Sequence, residues 1–142
     1  MTKLTGYQKW VIGLTIFTAL GHLIYSYGWE NSILGINLGV WFIINGTVYL
    51  LILYILYFSS RFEDNRNMIR YTLAGWTLGS IIAWILFHTS SVRYTTLLDA
   101  SLINKTVEVL ILVFLYLDMK SSSVNNKSQI DTQKTNQSPT IT

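Results

Sequence analysis

The sequence predicts an all-α membrane protein: a bundle of four transmembrane helices, both termini cytoplasmic, with a disordered C-terminal tail. Three observations predict it. Hydrophobic residues make up 51% of the 142-residue chain and charged ones 12%, about half the usual charged share. The apolar residues fall in long blocks of span length rather than in an even scatter. The basic residues gather at the two ends and in one connection, as the positive-inside rule requires of an even number of spans.

The elements follow in order. Residues 1–9 are a short polar lead with Lys3 and Lys9. Residues 10–27 form the first span. A signal-peptide reading with cleavage near Ala19-Leu20-Gly21 is disfavoured, because aromatic residues crowd the site and three further apolar blocks follow. After a short turn, residues 33–58 form a second span without a charge, long enough to cross with some tilt. A charged connection, 59–70, carries Arg61, Glu63, Asp64, Arg66 and Arg70. The third span is 71–88 and the fourth is 98–117, separated by a polar loop. Together these make a transmembrane domain over 1–120. The tail, 121–142, is rich in Ser, Thr, Asn and Gln. It has too little apolar area to offset chain entropy.

Four spans put both termini on one side. That side holds Lys3, Lys9, Arg61, Arg66, Arg70, Lys120, Lys127 and Lys134, against Arg93 and the in-span Lys105 on the other. The bias makes the terminal side cytoplasmic and predicts a multi-pass protein of the cell membrane. Short connections make sequential helices antiparallel neighbours. Gly35 and Gly39, and Gly75, Gly79 and Ala83, are expected helix-packing faces, since small residues let backbones approach closely in lipid.

The fourth span carries the unusual feature. Ser101, Asn104, Lys105 and Glu108 sit at i, i+3, i+4 and i+7, one stripe of a helix. A polar stripe in lipid must face protein or water. At a rise of ~1.5 Å per residue, Glu108 and Lys105 lie about 15 and 20 Å above the inner edge. His22 of the first span, Asn45 of the second, and Ser80 and Trp84 of the third fall at similar heights. The expected arrangement is a buried polar network of His22, Asn45, Lys105 and Glu108, with Asn104 and Ser101 leading outward.

Several classes are excluded or disfavoured. With no cysteine, there are no disulfides, thiolate metal sites or thiol redox chemistry. The net charge of +3 is dispersed and implies no nucleic-acid partner. His22 and His88 are the only histidines, and their unequal heights argue against a bis-histidine haem. His22, His88 and Asp99 are metal-site candidates by ligand type, but their spacing forms no motif. No metal and no cofactor is expected. There is no phosphate loop, His-Glu-x-x-His or nucleophile elbow, so no intrinsic catalytic activity is expected.

Gly21-His22-Leu23 and the element Asn104-Lys105-Thr106-Val107-Glu108 resemble features of small four-span archaeal membrane proteins of unknown function, of the haloarchaeal type. Their last span carries an Asp-Lys-x-x-Gln-like element, here with Asn for Asp and Glu for Gln. The resemblance implies a four-helix archaeal protein and brings no activity with it. In size and setting the chain is also similar to accessory subunits of archaeal membrane enzyme complexes, such as the copper-dependent ammonia monooxygenase. The expected function is a non-catalytic membrane protein, partnered by the lipid bilayer and by other membrane subunits or its own copies. The alternative is a small proton or ion transporter or channel using the Lys-Glu-His layer.

Overall fold

The computed structural model describes residues 4–26, 32–33, 36–90 and 98–136, with side chains described over 4–26, 39–86 and 101–124. Apart from one short strand pair it is helical, with four α-helices among the described residues: α1 (Gly6–Tyr25), α2 (Leu38–Tyr57), α3 (Arg66–Ser90) and α4 (Leu98–Asn136). The described strands are two residues each, Ser32–Ile33 and Ile36–Asn37, paired antiparallel before α2. Two helical stretches are long and apolar enough to cross a membrane, Gly39–Tyr57 and Ser60–Leu86.

Local chemistry moves several helix ends away from the apolar blocks. α1 begins one turn early because Thr5-Gly6-Tyr7-Gln8 is a capping box. The Thr5 hydroxyl accepts from the Gln8 amide at 3.3 Å, and the Gln8 side chain accepts from the Thr5 amide at 3.1 Å. Two donors that the first turn leaves without a helical partner are thereby satisfied. At the other end, Ser26 donates to the Leu23 carbonyl at 2.6 Å. α2 starts at Leu38 rather than near residue 33, after Asn37, a residue type that competes for backbone groups outside helices.

The connection 59–70 is also more ordered than its charge implies. Ser60–Asn65 forms 3-10 turns with a kink at Phe62, and α3 then starts at Arg66. Arg66 pairs with Glu63 at 3.2 Å on the exposed side. At the C-terminal end, α4 does not stop near residue 117. It runs to Asn136, so residues 121–136, expected to be disordered, are helical. No Gly or Pro interrupts the chain between Asp118 and Asn136. Extending an existing helix costs far less than nucleating one.

α1 and α3 each pack against α2 and α4, which places them at opposite corners of the bundle. Cross-helix contacts fix the directions. Thr5 reaches Asp118 while His22 reaches Glu108, so α1 and α4 are antiparallel. Arg70 meets Asp118 while Ser80 meets Glu108, so α3 and α4 are antiparallel too. Between these two levels sits the apolar core of Val11, Tyr49, Ile52, Leu56, Ile69, Leu73, Ile111 and Leu115.

The distribution of polarity is inverted relative to a water-soluble bundle. Ile24 is 70% exposed and Glu108 is 0% exposed. Trp10, Phe17, Leu51, Tyr54, Tyr71 and Leu86 also lie outside, while Thr15, Thr18, His22, Thr77 and Lys105 lie inside. Such an apolar exterior is what lipid, rather than water, tolerates.

The small residues of α3 do not face the interior of this bundle. Gly75, Gly79 and Ala83 share a stripe, but all three are exposed. A Cβ built on Gly75 or Gly79 meets nothing within 4 Å. The reason is helical phase. The buried face of α3 runs through Ile69, Leu73 and Thr77, and two residues further on is about 200° around the helix. Gly39 is buried at the start of α2, and Gly35 lies outside the described residues.

The close approaches occur at Gly46 and Gly21 instead. A Cβ on Gly46 would stand 2.8 Å from the Ala19 carbonyl oxygen and 3.1 Å from Leu23 Cγ. One on Gly21 would stand 2.8 Å from Asn104 Oδ1. Gly46→Ala is therefore expected to push α1 off α2 and destabilise the bundle by about 1–3 kcal/mol. Gly79→Ala should be neutral or slightly stabilising in the isolated chain. Parallel thermal unfolding of the two variants in detergent tests the contrast.

Candidate functional site

All four helices contribute to one buried polar cluster. His22 lies three residues before the end of α1 at Tyr25, and it is 2% exposed. It stacks on Phe42 at 5.8 Å and Tyr49 at 5.9 Å, both from α2. Its Nε2 lies 3.0 Å from Glu108 Oε1, 3.0 Å from Asn45 Nδ2 and 3.3 Å from Asn104 Nδ2.

Glu108 is enclosed by donors. The Lys105 ammonium donates to both of its oxygens, at 2.7 and 2.8 Å, and the Ser80 hydroxyl donates to Oε1 at 3.2 Å. Lys105 also donates to Ser80 Oγ at 2.8 Å. The pair sits at i and i+3 of one helix, so neither residue needs another helix to find its counter-charge.

Asn45 has a fixed orientation. The Trp76 indole donates to its Oδ1 at 2.7 Å. An indole nitrogen is only ever a donor, so the amide nitrogen must be the atom that faces Ser80 at 3.1 Å and His22 at 3.0 Å. Ser80 is then fully used: it accepts from Asn45 and Lys105 and donates to Glu108. Trp76→Phe keeps the ring and loses the N–H. It should cost about 0.5–1.5 kcal/mol, readable as a lowered melting temperature in detergent.

The His22 ring nitrogen is where the bookkeeping does not close. A single imidazole nitrogen either donates one hydrogen or accepts one. Nε2 faces a carboxylate that wants a hydrogen and an amide that offers one, at the same distance. Moving the ring hydrogen from Nε2 to Nδ1, a change of tautomer at constant proton number, exchanges the Glu108 contact for the Asn45 contact without moving a heavy atom.

A second buried ion pair lies at the other end of the bundle. Arg70 Nη2 meets Asp118 Oδ2 at 2.7 Å, with the two side chains 6% and 1% exposed. Arg70 also donates to Asn67 at 3.0 Å and to Ser122 at 3.4 Å. The Thr5 cap of α1 donates to Asp118 Oδ1 at 3.5 Å. Arg70 and Asp118 sit at the ends of apolar blocks, so the sequence assigns them to the water boundary. Nothing in the spacing signals that they pair, because the partners lie on different helices.

Of the residues singled out by sequence, His22, Asn45, Asn104, Lys105 and Glu108 meet in this layer. Asn104 lies in the layer itself, not outward of it. Ser101 accepts from the Trp84 indole at 3.3 Å, one turn further along α4. Trp76 and Gly21 complete the layer beyond the network that the sequence predicts, together with Ser80, which the depth count places at the same height. The signal available for Trp76 was its one-turn spacing from Ser80. His88 and Asp99 lie in α3 and α4, but their side chains are outside the described set. Among the described residues no group of three His, Cys, Asp or Glu is placed to hold a metal ion.

The fold and site thus define a helical protein with an apolar exterior, two helices able to cross a membrane and a buried charged layer shared by four helices. Compared with known protein families, curated proteins and solved structures, the chain matches none.

Proposed function

We propose that the chain is a four-span protein of the cell membrane, both termini cytoplasmic, that packs against helices of a larger membrane assembly without an active site of its own. An accessory subunit of an archaeal membrane enzyme complex, of the kind that ammonia monooxygenase represents, fits this reading. The observation that supports it is the Gly75, Gly79 and Ala83 stripe. It faces away from its own bundle, and in lipid such a stripe serves close helix contact. The buried layer then fixes the register of the four helices and leaves α3 free to dock.

Purification of the tagged protein in mild detergent tests the reading. Stable co-purification of larger integral subunits is expected, weakened by Gly79→Leu while the bundle itself stays folded. Recovery of the chain alone, wild type and variant alike, would overturn it.

A second reading is favoured by one specific contact set. His22 Nε2 stands equidistant from a carboxylate and a pinned amide, so the layer suits proton binding and, across a membrane, proton or ion transfer. Reconstituted protein should then move protons into liposomes under a pH gradient, and Glu108→Gln should abolish the movement. Flux equal to that of empty liposomes counts against it.

A further inference from the structure

The stripe of α1 that carries His22 also carries Thr18 and Thr15, at spacings of four and seven residues. Both are fully buried. Three other helical threonines, Thr72, Thr77 and Thr106, return their hydroxyls to the carbonyl four residues back at 3.0, 2.8 and 2.9 Å. Thr15 and Thr18 do not. Their hydroxyls are without a hydrogen-bond partner among the described residues. The same holds for the buried Tyr49 hydroxyl, which lies alongside Thr77, Ser80 and Glu108 without meeting hydrogen-bond geometry. It holds as well for His22 Nδ1 and Asn104 Oδ1.

Four further unpartnered atoms, on Tyr57, Arg66, Arg70 and Asp118, lie around the ion pair at the other end of the bundle; the five named above lie at this end. His22, Thr18 and Thr15 line one face of α1, which packs on α2 and α4. Tyr49 reaches the same interior from α2, one turn from Asn45, and its ring stacks on His22. Asn104 and Glu108 close it from α4, and Thr77 from α3. The region begins at the polar layer and extends about 10 Å along α1 toward the inner end. Beyond it, Val11, Leu56, Leu73 and Leu115 fill the interior as an apolar plug, and the Arg70–Asp118 pair follows.

His22 makes the demand explicit. Whichever nitrogen carries the hydrogen, Nδ1 needs a partner: an acceptor if it is protonated, a donor if it is not. A buried polar atom left dry costs about 1–3 kcal/mol. Several such atoms facing one interior are most simply satisfied by ordered water, which bonds to two to four polar groups in buried sites.

We propose that Thr15, Thr18, Tyr49 and His22 Nδ1 enclose an internal water cluster, and that this cluster delivers protons to and removes them from the His22–Glu108 pair. The proposal deepens the second reading above and rests on it for its proton step. An excess proton from bulk water is relayed by a cluster water to His22 Nδ1, leaving the water neutral, and His22 then presents N–H on both ring nitrogens. Nε2 donates to Glu108, and Nδ1 donates back to the water. The layer gains one positive charge, and the reverse transfer removes it. The ionisable groups facing the cluster are Tyr49 from α2, and Lys105 and Glu108 from α4. The described part of α3 supplies only the neutral Thr77 and Ser80. Asp118, Arg70 and Tyr57 stand beyond the plug.

Two measurements on the full chain test the proposal. The first is the stability of Thr15→Val/Thr18→Val, a near-isosteric change. If the hydroxyls hold water, the variant melts at a lower temperature. If they are dry, replacing stranded hydroxyls with methyl groups raises the melting temperature, and the proposal fails. The second uses the absence of cysteine in the natural chain. Single Thr15→Cys and Thr18→Cys variants in liposomes are treated with silver ion, and the thiols left unreacted are counted by maleimide after denaturation. A hydrated site gives thiolate chemistry within about tenfold of a water-exposed control such as Asp64→Cys. Reaction as slow as that of Leu73→Cys, which lies within the apolar core, overturns the proposal. Proton flux separates the path from the reading it rests on. Flux lost in Glu108→Gln but kept in Thr15→Val/Thr18→Val means that protons move by another route and the cluster is not their carrier. A hydrated Thr15 with no flux in the wild type sinks the transport reading and the proton step, and leaves the water cluster standing.

Discussion

Glu108→Leu is expected to destabilise the bundle by about 3–5 kcal/mol, because it strands a buried cation. Lys105 loses both of its contacts to the carboxylate and keeps only Ser80. The Ser80 hydroxyl and, when protonated, His22 Nε2 lose their acceptor at the same time. The companion variant Lys105→Met/Glu108→Leu removes charge and counter-charge together. It should recover most of the loss, since replacing a whole buried pair by apolar groups is often neutral or better. Thermal unfolding of the three proteins in one detergent reads the outcome. Equal destabilisation of the single and double variants would show that the pair is not what the layer depends on.

Asp118→Leu carries the second large effect, again about 3–5 kcal/mol, by leaving the Arg70 guanidinium buried with only Asn67 and Ser122 as partners. Arg70→Met/Asp118→Leu should restore much of it. Asp118 and Glu108 are ten residues apart on α4, a separation of about 15 Å. The two losses should therefore add to within about 0.5 kcal/mol. A clear departure from additivity in Asp118→Leu/Glu108→Leu would mean that the apolar core between the ion pairs transmits strain from one to the other. The same unfolding assay measures it.

Much of the site was legible because depth in a helix is a one-dimensional count. His22, Asn45, Lys105 and Glu108 are polar interruptions of apolar blocks, and measuring each from a charged inner edge puts them at similar heights. The direction of a side chain around the helix is not in that count. It is why Gly75 and Gly79 could be seen to share a face while the side that the face points to could not. Gly21 and Gly46 sit next to His22 and Asn45, and adjacency to an inward polar residue was the available clue to their close contacts. Arg70 and Asp118 were hidden for another reason. A charge at the edge of an apolar block has the same sequence signature whether water or a buried partner neutralises it. The helix ends were obscured by capping chemistry at Thr5 and by the lack of any stop signal after Asp118, neither of which changes hydropathy.

The length of α4 gives the layer a mechanical connection. Its 39 residues span about 58 Å, close to twice the ~30 Å hydrocarbon thickness of a bilayer. From Glu108 to Asn136 the helix is continuous, a distance of about 42 Å. A body that grips the far turns therefore holds a lever whose short arm carries Lys105 and Glu108. Tilting that rod by a few degrees would shift the carboxylate against His22 by tenths of an ångström, enough to favour one of two contacts that now stand at equal length.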